Sequence, residues 1–356
     1  MTRAGRFARC EAFFLFRLIH RLGVVAALCT LAVVSAPATA QQAGGVERIE
    51  ISAEPIVSFD PREPARVNFG ALSFRGGLVL QSPNRHFGGL SAIRMEADGE
   101  RFLALTDKGY WLRGRIESRN DRPTGISNAE MAPLLGSDGR PLNRRGWYDS
   151  EALALDDGIA TVGIERVHEV VRFDYGRYGL LARAQQVAAP ATIKSLPNNK
   201  GIECLVGVPK NSKSALPPGT VIGLSERGLD SRGNLLGFVI GPAIGTFTLK
   251  RRDDFDVSDC AVTPRGEFLV LERRFTWLSG VAMRIRNIPI DTVKAGALLD
   301  GPALITADRS YQIDNMEGLS VHRAANGALV LTLISDNNFS SFFQRTLLLQ
   351  FTLVGE

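Results

Sequence analysis

A short motif returns five times along this 356-residue chain: an acidic residue with an apolar run directly behind it. The copies are Gly89-Leu90-Ser91-Ala92-Ile93, where serine replaces the acid, then Asp149-Ser150-Glu151-Ala152-Leu153, Gly201-Ile202-Glu203-Cys204-Leu205, Val257-Ser258-Asp259-Cys260-Ala261 and Asn315-Met316-Glu317-Gly318-Leu319. With Ser91, Glu151, Glu203, Asp259 and Glu317 as anchors, the spacings are 60, 52, 56 and 58 residues. A second acid closes the units, in Thr106-Asp107-Lys108, Ile164-Glu165-Arg166, Ser225-Glu226-Arg227, Leu271-Glu272-Arg273 and Ser335-Asp336-Asn337. A repeat of this length makes each unit a supersecondary structure that buries its apolar faces only against its neighbours, so it governs the architecture.

Between the two acids lies a turn signal and an alternating apolar stretch. In the clearest unit, Glu151 to Leu155 forms a strand, Asp156-Asp157-Gly158 the turn and Ile159 to Ile164 the return strand, with Val167 to Phe173 as a third. Glycine at such a turn suits the positive φ of a tight hairpin. Units of this size with three or four strands predict an all-β chain folded as a β-propeller of five or six blades. Val46 to Leu80 is the candidate sixth blade, and the last strand, Thr346 to Leu353, is expected to close the ring against strands such as Arg48 to Ile51. Arg115 to Trp147 and Lys210 to Pro218 read as loops over one face.

Residues 1–40 read as a signal peptide: five arginines precede the apolar run Leu22 to Val34, and Ala38-Thr39-Ala40 supplies a cleavage site. Residues 41–356 then form a single propeller domain, exported to the periplasm or secreted, with no membrane association after cleavage. The formal charge of +5 belongs to the leader, because 37 basic and 36 acidic residues remain without it. Nucleic acid is therefore excluded as a partner. Two cysteines survive cleavage, Cys204 and Cys260. Each follows the anchor acid of its unit, and equivalent positions point the same way around a ring, so buried thiols are expected rather than a disulfide.

The innermost strand of each blade lines the central channel of a propeller, so Glu151, Glu203, Asp259 and Glu317 are expected to converge. Crowded carboxylates resist full ionisation unless a cation or basic group offsets them. A hard divalent cation, calcium foremost, fits an all-oxygen site without histidine. The second set, Asp107, Glu165, Glu226, Glu272 and Asp336, is then available as general bases or further ligands, while Lys108, Arg166, Lys200, Arg227 and Arg273 take phosphate oxygens. The competing reading makes both acid sets blade-to-blade ion pairs. Serine-hydrolase, cysteine-phosphatase and zinc chemistry are disfavoured: no Gly-x-Ser-x-Gly elbow occurs and only His86, His168 and His322 survive cleavage.

Phe87 to Ile93, Thr106 to Gly109, Asp149 to Leu153, Lys200 to Glu203, Asp314 to Leu319, Ile334 to Phe339 and Gln344 to Leu348 resemble the family described as esterase-like activity of phytase. The resemblance runs from about Ala71 to the C-terminus and implies an exported hydrolase of small-molecule phosphate esters. By analogy with β-propeller phytases it also implies a calcium requirement, although the motifs of those enzymes are missing here. A non-enzymatic propeller that binds a ligand or protein, and a calcium-dependent lactonase-like hydrolase, stay open as alternatives. The oligomeric state is not legible.

Overall fold

The structure is a computed structural model and describes residues 45–210, 213–340 and 342–354. The expected signal segment lies outside them. Five sheets, antiparallel except for the Leu298–Leu299 edge that pairs parallel in the third, follow one another along the chain as the blades of a propeller. Their inner strands are Leu90–Met95, Ser150–Asp156, Ile202–Gly207, Asp256–Val262 and Asn315–Arg323, and each packs against the next until the fifth meets the first.

Closure differs from the expectation. Val46 to Leu80 makes no sixth blade. Instead Leu72–Gln81 pairs antiparallel with Thr346–Leu353 inside blade 5, and Ser52–Ile56 adds the outermost strand. Glu47–Arg48 crosses to the rim of blade 1, where it pairs with Met131 and Glu130. Both chain ends thus share one sheet, so the ring opens only if the Thr346–Leu353 ladder breaks. Nor is Arg115 to Trp147 mainly loop: Tyr110–Arg119 and Arg122–Pro133 form one long hairpin. Its polar composition hid it, because an outer strand buries little of either face.

Five apolar clusters fill the five seams between blades. The seam of blades 4 and 5, for example, joins Leu269, Leu271 and Met283 to Leu331, Leu347 and Phe351. Inner and middle strands are covered on both faces, and this is why Leu329–Asp336 is buried throughout.

Cys204 and Cys260 are joined in a disulfide between blades 3 and 4, with Cα atoms 5.3 Å apart, which corrects the thiol expectation. The two cysteines do not occupy equivalent positions. Pairing registers place an unpaired, bulged residue at Glu203 in blade 3 but at Ser258 in blade 4. Cys204 is therefore one residue past its bulge and Cys260 two past, and that offset lets their side chains face each other. A chain beginning at Gln41, unfolded without reductant, is expected to show no free thiol, and two titratable thiols would disprove the bridge. Cys204→Ser with Cys260→Ser should lower the unfolding free energy by about 3 kcal/mol, seen as a lower denaturant midpoint.

Candidate functional site

Every inner strand carries a β-bulge near its start. The residue left without a cross-strand partner is Ser91, Glu151, Glu203, Ser258 or Glu317 in blades 1 to 5. A bulge turns its extra side chain out of the strand's alternation and commonly serves to aim it. The two serines do the same job at their seams: Ser91 Oγ donates to Ser150 O at 2.6 Å and Ser258 Oγ to Met316 O at 2.9 Å. Each thereby holds the backbone just ahead of the next blade's bulged glutamate.

A second tier stands on the neighbouring strands. Asp107, Glu165 and Glu226 donate their backbone N–H groups to Gly89, Asp149 and Gly201, while Asp336 and Arg273 lie opposite Asn315 and Asp256. These five positions are equivalent, so blade 4 places Arg273, not Glu272, among the acids. An added Cβ at Gly201 would lie 2.6 Å from Glu165 Cγ, and the Gly201 N–H instead donates to Glu165 Oε1 at 2.5 Å.

Most of both tiers lines one cavity of about 710 Å³: Glu151, Glu203 and Glu317 with Asp107, Glu165, Glu226, Asp336, Arg273 and Lys200. Asp149, Asn199, Asp314 and Asn315 join them, and none of these four was singled out from the sequence as a site residue. Their signal was present, since Asp149 and Asn315 belong to the repeated motif itself. Three predicted residues stand apart from the cavity in ion pairs. Asp259 is fully buried and receives both terminal nitrogens of Arg94, each at 2.7 Å, together with the Leu319 and Cys260 N–H groups. Arg94 also donates to the carbonyls of Ile93, Leu205 and Leu319, tying blades 1, 3, 4 and 5 together. Glu272 lies between Arg284, at 2.6 Å, and Arg286, at 2.9 Å. Arg227 pairs with Asp256. Arg166 covers the Tyr148 ring, and Lys108 sits over Phe339.

The cavity's electrostatics follow from crowding. Burial, then the charge of Asp336, lifts Asp107 to about 7. Burial lifts Asp336 to about 6 and Glu317 to about 8, the latter against the pull of Arg273. Burial and neighbouring acids push Glu203 and the mostly buried Glu151 well above the carboxylate range. Burial also raises Glu165 and Asp149. Arg273 offsets part of this charge: its Nη2 lies 3.0 Å from Glu226 and its Nε 3.1 Å from Glu317. Lys200 pairs with the other Glu226 oxygen. Burial opposes the charge of Arg273, but the surrounding glutamates hold it more firmly protonated than usual.

These donors fit a hard cation. One oxygen each from Glu165, Glu203 and Glu226 lies within 4.8 Å of the other two. Asp107 Oδ1 and Glu317 Oε2 are buried oxygens without a hydrogen-bond partner. Oxygen-only donors, negative charge in excess and unsatisfied lone pairs are what calcium-type sites present.

A five-bladed propeller with an acidic cavity at the head of its inner strands is thus the class of molecule that fold and site define. The chain belongs to the phytase-like family, esterase-like activity of phytase, whose model matches residues 85–339. A search of curated proteins found no match. Among solved structures, the chain is similar to one in the crystal structure of a nidogen/laminin complex, at 8% identity and a TM-score of 0.37, over 82% of this chain and 88% of that one.

Two outcomes follow from this geometry. Asp259→Asn leaves the Arg94 guanidinium buried without its counter-charge and is expected to cost about 3–5 kcal/mol of stability. A loss under about 1 kcal/mol would show the pair to be dispensable. An acid whose folded pKa exceeds its unfolded value holds its proton more tightly when folded, so stability falls as pH rises between the two values. Glu317, from 4.5 to about 8, and Asp107, from 3.8 to about 7, define that window. In chelator, the melting temperature should therefore drop from about pH 5 to about pH 8 and recover on adding calcium at the upper end. A flat profile, unmoved by calcium, would contradict the crowded-carboxylate picture.

Proposed function

We propose that this protein is an exported, metal-dependent hydrolase of phosphate esters whose cavity carboxylates converge at the propeller axis. The observation that carries the reading is the Glu165–Glu203–Glu226 cluster beside Asp107, whose pKa is lifted to about 7. In this reading Glu203, Glu165 and Glu226 would hold a divalent cation, most simply calcium, Glu226 exchanging Lys200 for it, with Glu151 and Glu317 in the same cavity. When bound, the cation polarises a phosphoryl oxygen and offsets the negative charge around it.

The remaining steps belong to the chain's own side chains. Arg273 and Lys200 orient the phosphate by donating hydrogen bonds to its oxygens. Asp107, titrating near neutrality and with a free oxygen, takes a proton from the attacking water. The water oxygen bonds to phosphorus as the bond from phosphorus to the alcohol oxygen breaks, and the abstracted proton passes to the departing alkoxide. Asp336, pushed up to about 6, is the neighbouring carboxyl through which that proton can move. Lys108 lies over the Phe339 ring, while Asp259, Glu272, Arg166 and Arg227 have structural partners instead.

The Cys204–Cys260 bridge supports export, since disulfides persist in oxidising compartments. No helix among the described residues is long and apolar enough to cross a membrane.

Phosphate release should be measured from phytate and from simple mono- and diesters, with calcium and with chelator. Turnover is expected only with the cation, and Asp107→Asn should lower kcat by about 100-fold or more. Glu203→Gln should raise the calcium concentration needed for half-maximal activity. If both variants and the chelated protein retain full activity, the assignment of roles fails.

A further inference from the structure

Resting on the phosphate-ester reading, we infer that the preferred substrate is a singly phosphorylated ester of an apolar alcohol of about aromatic size, rather than a polyphosphorylated cyclitol such as phytate. Two independent features of the cavity lead there.

The first is charge. Among the described residues, nine carboxyl groups line the cavity against only Lys200 and Arg273. A single divalent cation on the three-glutamate cluster offsets part of that excess and leaves the rest. One phosphate would be offset by such a cation and Arg273 together. A ring bearing phosphate on every carbon would press its remaining anions against Glu151, Glu317 and Asp336, and like charges at that range in a partly buried site are strongly repulsive.

The second feature is the apolar part of the lining. Phe275, Val281, Ile313 and Phe343 line the same cavity on the side of blades 4 and 5, next to Arg273. Polar binding alone gives them no purpose there. Phe275 is 57% exposed and Phe343 82%, so neither is needed to fill a seam between blades. The apolar surface continues outward at the tip of the blade 4 hairpin, where Trp277 and Leu278 are 94% and 93% exposed and Trp277 meets Phe275 edge to face. Exposed aromatic surface at the mouth of a polar cavity is suited to cover a ligand's apolar part. With its phosphate on Arg273, an ester presents its alcohol portion to this apolar lining.

The test uses the chain from Gln41 with calcium. Its substrates are 2-phenylethyl phosphate, glycerol phosphate and phytate, the first two having alcohols of similar leaving ability. The expected result is a kcat/KM for 2-phenylethyl phosphate about tenfold above that for glycerol phosphate, with phytate below both. Phe275→Ala combined with Phe343→Ala should bring the ratio of the first two towards one. Binding supplies a readout apart from turnover: 2-phenylethylphosphonate should quench the fluorescence of Trp277, an effect lost in Trp277→Phe, and phytate should compete poorly. Phytate turned over as well as the phenylethyl ester, or a ratio unmoved in the double variant, overturns the inference and leaves the hydrolase standing. No phosphate release from any of the three overturns both.

Discussion

A β-bulge puts one side chain out of step with its strand, and in this ring all five inner strands carry the bulge near their start. The consequence is geometric. Residues that would otherwise alternate between two packed seams are turned into a common cavity, while those beyond the bulge resume their places in the apolar seams. Glutamate at three bulges and serine at the other two divide the work: the glutamates supply charge and the serines tie adjacent blades through their carbonyl groups.

Such a cavity is costly to build, because burial and mutual repulsion both favour the protonated acids. The molecule answers in two ways. Below the bulges, the Arg94–Asp259 pair satisfies its own charges and also occupies carbonyls from three blades, binding the strands together without adding net charge. At the cavity itself, Arg273 and Lys200 neutralise Glu226 and part of Glu317, but Glu151, Glu165 and Asp107 receive no cationic side chain within ion-pair distance among the described residues. Groups left so unbalanced hold their protons more tightly than free carboxyls do, the property that acid–base chemistry uses. A purely structural set of ion pairs would instead have been balanced acid for base, as Glu272 is by Arg284 and Arg286.

The propeller, the hairpin turns and the anchors Glu151, Glu203 and Glu317 are legible in the sequence because period-two alternation and repeat spacing survive divergence. Ring closure by Leu72–Gln81 was harder to see: strand pairing between chain ends leaves no local mark. Blade 4 shows a different limit. Aligning its unit on the acid selects Asp259 and Glu272, whereas the bulge selects Ser258 and Arg273, one residue away in each strand. The apolar residue before the anchor is the better guide, since Leu90, Ile202, Val257 and Met316 all precede the bulged position. That single-residue slip also explains why two cysteines that look equivalent in the repeat lie in different registers and meet.

Blade 4 is where the ring's symmetry is broken, and the break has a chemical sense. Blades 2 and 3 each give two glutamates, and the three oxygens closest together come from them. Blade 4 replaces the bulged glutamate by serine and the second-tier acid by Arg273, so the cavity grades from a strongly negative side to one carrying a fixed positive charge. A ring of five identical acids would bind cations and repel an anionic ester. With one blade inverted, Arg273 stands 3.0 Å from Glu226 of the three-glutamate cluster, so that in the proposed reaction cation and phosphate would share one cavity side by side. The apolar residues Phe275 and Val281 belong to this same inverted blade, which in the proposed reading would set the organic half of a substrate on the side of Arg273.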